Sequence, residues 1–167
     1  VGKGKVVLTS WHLVEGQSVV TIMARAAGGV ADLERPIPAE VARLNAFSDL
    51  ALLRPQGRLD LPHLDVSLDV APNPGAQVHV LSHDRRQSWR HAFAIVVQAK
   101  PEHTWFSGNN VIHRAPALRL QMSEAPVHDG GAVLNRRGEL VGLKVHHGRG
   151  MVTAVAASAI EAFLEGS

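Results

Sequence analysis

Ten histidines in a chain without cysteine decide which side chains can do chemistry. Thiolate nucleophiles, thiolate metal sites and disulfides are all excluded. Histidine stands out against this background, since imidazole both ligates metals and titrates near neutrality. Spacing then sorts the histidines. His79 and His83 share one face of an expected strand but stand roughly 13 Å apart at the usual rise per residue, too far for one ion. His146 and His147 adjoin the turn Gly148-Arg149-Gly150 and, as strand neighbours, point to opposite faces. His63, His91, His103 and His113 read as isolated surface or loop residues. Trp11, Trp89 and Trp105 read as core or lobe-interface packing rather than a ligand cage. His12 and His128 are left, the second directly before Asp129-Gly130-Gly131.

The elements that must position these groups are short β-type runs bounded by Gly, Pro, Asn and Asp, with almost no helical periodicity. Gly4 to Ser10, Val19 to Ala24, Ala39 to Leu44 and Leu50 to Leu53 are expected strands, punctuated by Glu15-Gly16, the Gly28-Gly29 turn and Asn45 to Ser48. Gln56 to Asp69 connects to a second β-lobe, which Pro74-Gly75 opens. There Gln77 to Ser82, Arg90 to Gln98, Ala117 to Met122, Gly131 to Leu134, Glu139 to Val145 and Met151 to Ala154 read as strands, and Pro101 to Asn110 as a polar loop. Ala156 to Leu164 is the one amphipathic helix. The expectation is an all-β chain of one domain over 1–167, with an N-terminal lobe over about 1–60, a C-terminal lobe over about 70–155 and a helix over about 156–165.

A hydrophobic fraction of 46% with 19% charged residues is ordinary globular composition. No apolar run reaches the roughly 18 residues of a membrane span. The net charge is only +2 and the basic residues are scattered, which excludes the electrostatic footprint of a nucleic-acid binder. The chain opens at Val1 inside an expected strand, with no methionine or leader, so a stretch of a longer protein is expected.

Three segments in order carry a resemblance. Leu8-Thr9-Ser10-Trp11-His12-Leu13-Val14-Glu15-Gly16 is similar to the Leu-Thr-Asn-Asn-His-Val-Val-Glu/Asp-Gly segment of HtrA/DegP-type trypsin-like serine proteases, in which the histidine is the general base. Ser48-Asp49-Leu50-Ala51-Leu52-Leu53 resembles their Thr-Asp-Leu-Ala-Val-Leu segment, in which the aspartate orients that base. Val127-His128-Asp129-Gly130-Gly131-Ala132-Val133-Leu134-Asn135, with Gly138-Glu139-Leu140-Val141-Gly142, resembles the nucleophile turn Gly-Asn-Ser-Gly-Gly-Pro-Leu-Val-Asn and the strand after it. The resemblance runs from Gly4 to about Leu164. It implies a two-lobed antiparallel β-barrel fold of the trypsin (chymotrypsin) type with a short C-terminal helix. His12, Asp49 and Asp129 then hold the triad positions, and Val127 and His128 belong to the oxyanion hole.

The departures fall on the chemistry. Asp129 stands where the family has serine, and a carboxylate beside an imidazole forms an ion pair instead of an activated alkoxide. Val127 replaces the glycine whose N–H donates to the oxyanion, in a backbone conformation that a β-branched residue resists. Loss of one oxyanion donor costs about 10² to 10³ in turnover, and loss of the nucleophile about 10⁶. A pseudoprotease is expected. The damaged turn also resembles magnetosome-associated members of the family, the MamO type, which implies a membrane-anchored scaffold facing the periplasm or magnetosome lumen and acting in iron-mineral formation, partly through binding transition metals. A metal-binding histidine before the orienting aspartate is a feature of that type, but Ser48 occupies its position here and Phe163 its partner position in the closing helix.

If the resemblance brings His12, Asp49 and Asp129 together, one imidazole and two carboxylates suit Zn, Mn, Fe or Ni, with His12 and Asp129 as ligands. A metal-free Asp–His–Asp hydrogen-bonded cluster is the other reading. Expected partners are peptide segments or a partner protease, held at strand edges beside Asp129, and further copies of the chain; no nucleic acid is expected, and a membrane only through segments outside this stretch. An active hydrolase working through Asp129 or a water is the remaining alternative.

Overall fold

The computed structural model describes residues 1, 6–25, 34–57, 62–67, 71–83, 89–108, 110–122, 128–148 and 150–166. Val127, the Gly28-Gly29 turn, Arg149 and the side chains of His83 and Trp89 lie outside the described residues. In the N-terminal part, β1 (Val7–Thr9), β2 (Val19–Arg25), β3 (Glu34–Asn45) and β4 (Leu50–Pro55) form an antiparallel sheet in the order β1-β4-β3-β2. Alternation drives it: Ala39, Ala51 and Leu53 turn inward onto Val14, with Val20, Ile22 and Val41 against them. Among the described residues this lobe is a four-stranded sheet.

The second lobe closes. The strands β5 (Gln77–His83), β6 (Trp89–Phe106), β7 (Ile112–Met122), β8 (Ala132–Leu134), β9 (Leu140–Gly148) and β10 (Met151–Ala156) form a barrel in the order β10-β7-β6-β5-β8-β9. Val78, Val80, Ala94, Val96, Leu118, Leu120, Val133 and Val152 fill it, and burying each valine or leucine stabilises the fold by about 1.5–3 kcal/mol. Closure satisfies the ladder hydrogen bonds that an open edge would leave to water.

Two expectations change here. The polar loop over Pro101 to Asn110 is largely strand, because β6 runs on to Phe106. Its register slips between Lys100 and His103, and Pro101, which has no N–H to give a ladder, sits within that slip. His113, expected at the surface, is fully buried. Its Nδ1–H donates to the Ala46 carbonyl at 2.6 Å, and its ring packs edge-on to Trp11 with centroids 5.7 Å apart. Trp105 is buried as expected.

Between the lobes lies a second core, in which Leu50 of β4 meets Trp105, Leu134, Leu140, Leu143 and Val155 of the barrel. Helix α1 (Ala157–Glu165) caps it with Ile160 and Phe163. No helix among the described residues is long and apolar enough to cross a membrane.

Candidate functional site

The site forms where the two lobes face each other. His12 sits in a single 3₁₀ turn, Trp11–Leu13, after β1, and Asp49 closes the turn before β4. Asp49 is wholly buried and has a left-handed backbone, φ 56°, which costs a residue other than glycine about 1–2 kcal/mol. That conformation aims three acceptors at one segment. The Asp49 carbonyl accepts the Trp11 N–H at 3.1 Å, and Oδ1 accepts the His12 N–H at 3.0 Å. The His12 Nδ1–H faces both carboxylate oxygens, at 2.8 and 3.0 Å. Upstream, Asn45 Oδ1 accepts the Ser48 N–H at 3.1 Å and fixes the turn. The histidine is thus oriented from its Nδ1 side, leaving Nε2 to point across the interface.

Across the interface stands Asp129, with Oδ2 3.4 Å from His12 Nε2. Two glycines allow the turn that places it. Gly130 has φ 82°, and at Gly131 a Cβ would lie 2.6 Å from the Leu81 carbonyl oxygen, so no larger residue fits without moving β5. The turn is stitched to β9 from both sides of Lys144: the Gly130 N–H donates to the Lys144 carbonyl at 2.7 Å, and the Lys144 N–H donates to the Gly131 carbonyl at 2.8 Å.

Lys144 is the functional residue that sequence reasoning missed. Its side chain is 1% exposed, and its ammonium donates to Asp129 Oδ1 at 2.5 Å. A lysine this deeply buried needs a counter-charge, and the carboxylate at 129 supplies it. The signal was a lone lysine inside the apolar run Leu140 to Val145, opposite a turn carrying an unexplained aspartate.

The result is a row of alternating charge across the interface: Asp49 carboxylate, His12 imidazolium, Asp129 carboxylate, Lys144 ammonium. Burial alone pushes the His12 pKa down, but hydrogen bonds to Asp129 and Asp49, together with their charges, outweigh it and raise it to about 9. For Asp129, burial pushes the pKa up, and His12 with Lys144 overcomes that and holds the carboxyl below its ordinary range. An imidazolium has no lone pair with which to accept a proton, and a carboxylate held by an ammonium is a stable anion.

The residues expected as metal ligands do not fit that role. An ammonium and an imidazolium already face the Asp129 carboxylate, so the cation this geometry supplies is Lys144. Among the described residues, no group of three or more His, Cys, Asp or Glu side chains is placed to hold a metal ion. Ser48 is buried and among the described residues its Oγ has no hydrogen-bond partner, and Phe163 packs in the interface core beneath the Arg43 guanidinium, 5.2 Å from the ring centroid. Neither offers a ligand nitrogen. Of the oxyanion-hole positions, His128 is exposed and its carbonyl accepts the Ser82 hydroxyl at 3.0 Å, while Val127 lies outside the described residues.

The other histidines regroup. His91, expected to stand alone, has its Nε2 2.9 Å from His79 Nδ1 on the neighbouring strand. His103 Nε2 lies 2.8 Å from the Arg119 guanidinium, and burial followed by the charges of Arg119, Lys100 and His146 lowers its pKa. His63 is exposed, with its Nε2 3.4 Å from Asp65.

Comparisons with known proteins agree with this fold. The family profile described as a trypsin-like peptidase domain matches residues 1–143. The active form of the Rv3671c protease from M. tuberculosis superposes with a TM-score of 0.80 at 19% identity, covering 96% of this chain and 68% of that one. The MamO protease domain from Magnetospirillum magneticum, in its apo form, superposes with a TM-score of 0.77 at 24% identity, covering 98% of this chain and 84% of that one. Among curated proteins none matches.

Proposed function

This chain belongs to the family of trypsin-like peptidase domains, and we propose that it is a member that no longer cleaves peptides and serves as a scaffold or binding module. The observation that carries this reading is the double engagement of Asp129, with His12 on one carboxylate oxygen and the buried Lys144 ammonium on the other. Peptide hydrolysis in this family needs a hydroxyl whose proton a neutral histidine removes. At position 129 there is no hydroxyl, and His12, with a pKa of about 9, is charged at neutral pH. The row of charges instead ties the two lobes together, which suits a rigid binding module.

Binding would draw on peptide segments, a partner protease or further copies of the chain. Extended peptides add to free strand edges. The segment after Asp129 offers none, since β8 is paired on both sides, with β5 and β9; the segment before it, 123–127, lies outside the described residues. The edges left among the described strands are β1 and β2 of the open sheet. The setting we propose follows the damaged nucleophile turn: the periplasm or magnetosome lumen, with anchoring by segments outside this stretch and a role in mineral formation. Fractionation of the full-length protein tests it, and recovery in the soluble cytoplasmic fraction would refute it.

The activity reading is tested with casein or an unfolded-protein substrate. No hydrolysis above the uncatalysed background is expected. Cleavage that disappears in His12→Ala, in a preparation free of other proteases, would overturn the proposal.

A further inference from the structure

A second cluster of imidazoles lies on the outer wall of the C-terminal barrel, apart from the lobe interface. His79 on β5 and His91 on β6 sit diagonally across an antiparallel ladder in which His79 faces Phe93 and Leu81 faces His91. Inward neighbours Val78, Val80, Ala92 and Ala94 are locked in the barrel core, so alternation fixes both histidines on the outside. His79 is half-buried and His91 exposed. Their rings stack with planes 16° apart and centroids at 5.2 Å, and Phe93 packs against both, with centroids 5.1 and 4.8 Å away.

We propose that His79 Nδ1 and His91 Nε2 form a two-nitrogen chelate for a divalent transition-metal ion of square-planar or octahedral preference, Cu²⁺ or Ni²⁺. The closeness of two imidazole nitrogens carries the site, and the affinity order of divalent ions for such donors carries the choice. With metal–nitrogen bonds of about 2.0–2.1 Å, ligands at right angles stand roughly 2.9 Å apart and ligands at the tetrahedral angle roughly 3.3 Å. The two nitrogens are 2.9 Å apart across their hydrogen bond, so a small opening of the pair reaches either spacing, and Ni²⁺ and Cu²⁺ stand high in the affinity order of divalent ions for nitrogen donors. Both strands belong to a closed barrel and Phe93 packs against both rings, so binding has the ring torsions to set and not the backbone.

The hydrogen bond the pair now makes means that one ring nitrogen carries a proton between them. Binding requires that ring to move its proton to its other nitrogen, a tautomer change that leaves both imidazoles neutral, and both rings to turn about Cβ–Cγ until their lone pairs converge. Water fills the remaining coordination positions. The pair contains no residue of the Asp49, His12, Asp129 and Lys144 row, so the site is independent of the loss of proteolysis.

The test uses the intact protein with one equivalent of Cu²⁺ for electron paramagnetic resonance and with Ni²⁺ for calorimetry. Superhyperfine structure from two equatorial nitrogens and a single-site Ni²⁺ isotherm are expected. In His79→Gln and His91→Gln, each an exterior change that spares the core, the two-nitrogen pattern should collapse and the Ni²⁺ heat should be lost. In His12→Gln both signals should persist. Unaltered signals in His79→Gln and His91→Gln would overturn the proposal, as would absence of binding to the unmodified protein.

Discussion

The two halves of the interface cluster come from different lobes and have fared differently. The N-terminal half keeps everything that aims a catalytic base: Asp49 is buried in a left-handed turn and engages both the backbone and the ring of His12. The C-terminal half keeps the turn, with its two glycines, and changes the group it presents, placing Asp129 against a buried lysine. Loss of the hydroxyl alone would leave a silent site. Lys144 makes the altered half a paired structural element within the C-terminal lobe, and the contact that crosses between the lobes is the one between His12 and Asp129.

The sharpest way to break this contrast is to return position 129 to serine. Asp129→Ser strips Lys144 of its carboxylate, and leaving a buried charge unpaired costs about 3–5 kcal/mol. Urea denaturation should show that loss, and casein hydrolysis should stay near background because Val127 still stands at the oxyanion position of the sequence. A serine variant as stable as the parent would mean that Lys144 does not depend on Asp129, and strong cleavage would mean that the second half was only one residue from activity.

A smaller effect should appear in the pH dependence of stability, with opposite signs in the two halves. His12 has a folded-state pKa raised to about 9, so its contribution is fully present below the unfolded value of about 6.5 and fades as pH rises through about 9. Asp129 has a lowered folded-state pKa, so its contribution is present above the unfolded value of about 3.9 and fades as pH falls through the folded one. Denaturation midpoints followed from acid to alkaline pH should therefore form a plateau that declines at both ends. Asp129→Asn should remove the acid-side decline due to Asp129 and shift the alkaline one to lower pH, since Asp49 still holds His12; an unchanged profile in that variant would place the linkage elsewhere.

Much of this is legible in the sequence, for physical reasons. Strand alternation and turn residues placed most elements, and three short segments in a fixed order named His12, Asp49 and Asp129, which the structure brings together across two lobes. What stayed hidden depends on pairing register. Lys144 reads as an ordinary strand lysine until β9 is laid beside the Asp129 turn. Along one strand His79 shares a face with His83, whereas its hydrogen-bonded neighbour is His91 across the ladder. His113 escaped because the strand was expected to start at Ala117; β7 begins at Ile112, and its alternation puts residue 113 inside. Pro101 suggested a loop because proline usually ends a strand, yet a register slip accommodates it.

The protonation state of His12 tests the central claim most directly, because a neutral histidine is what a working protease half requires. The Cε1–H resonance of His12, assigned by its loss in His12→Ala, can be followed by NMR as pH is raised from 5 to 10. A midpoint of about 9, falling toward the ordinary histidine value of about 6.5 in Asp129→Asn, is the predicted result. A midpoint near the ordinary value in the unmodified protein would show that Asp129 does not hold His12 as an imidazolium, and would contradict the account.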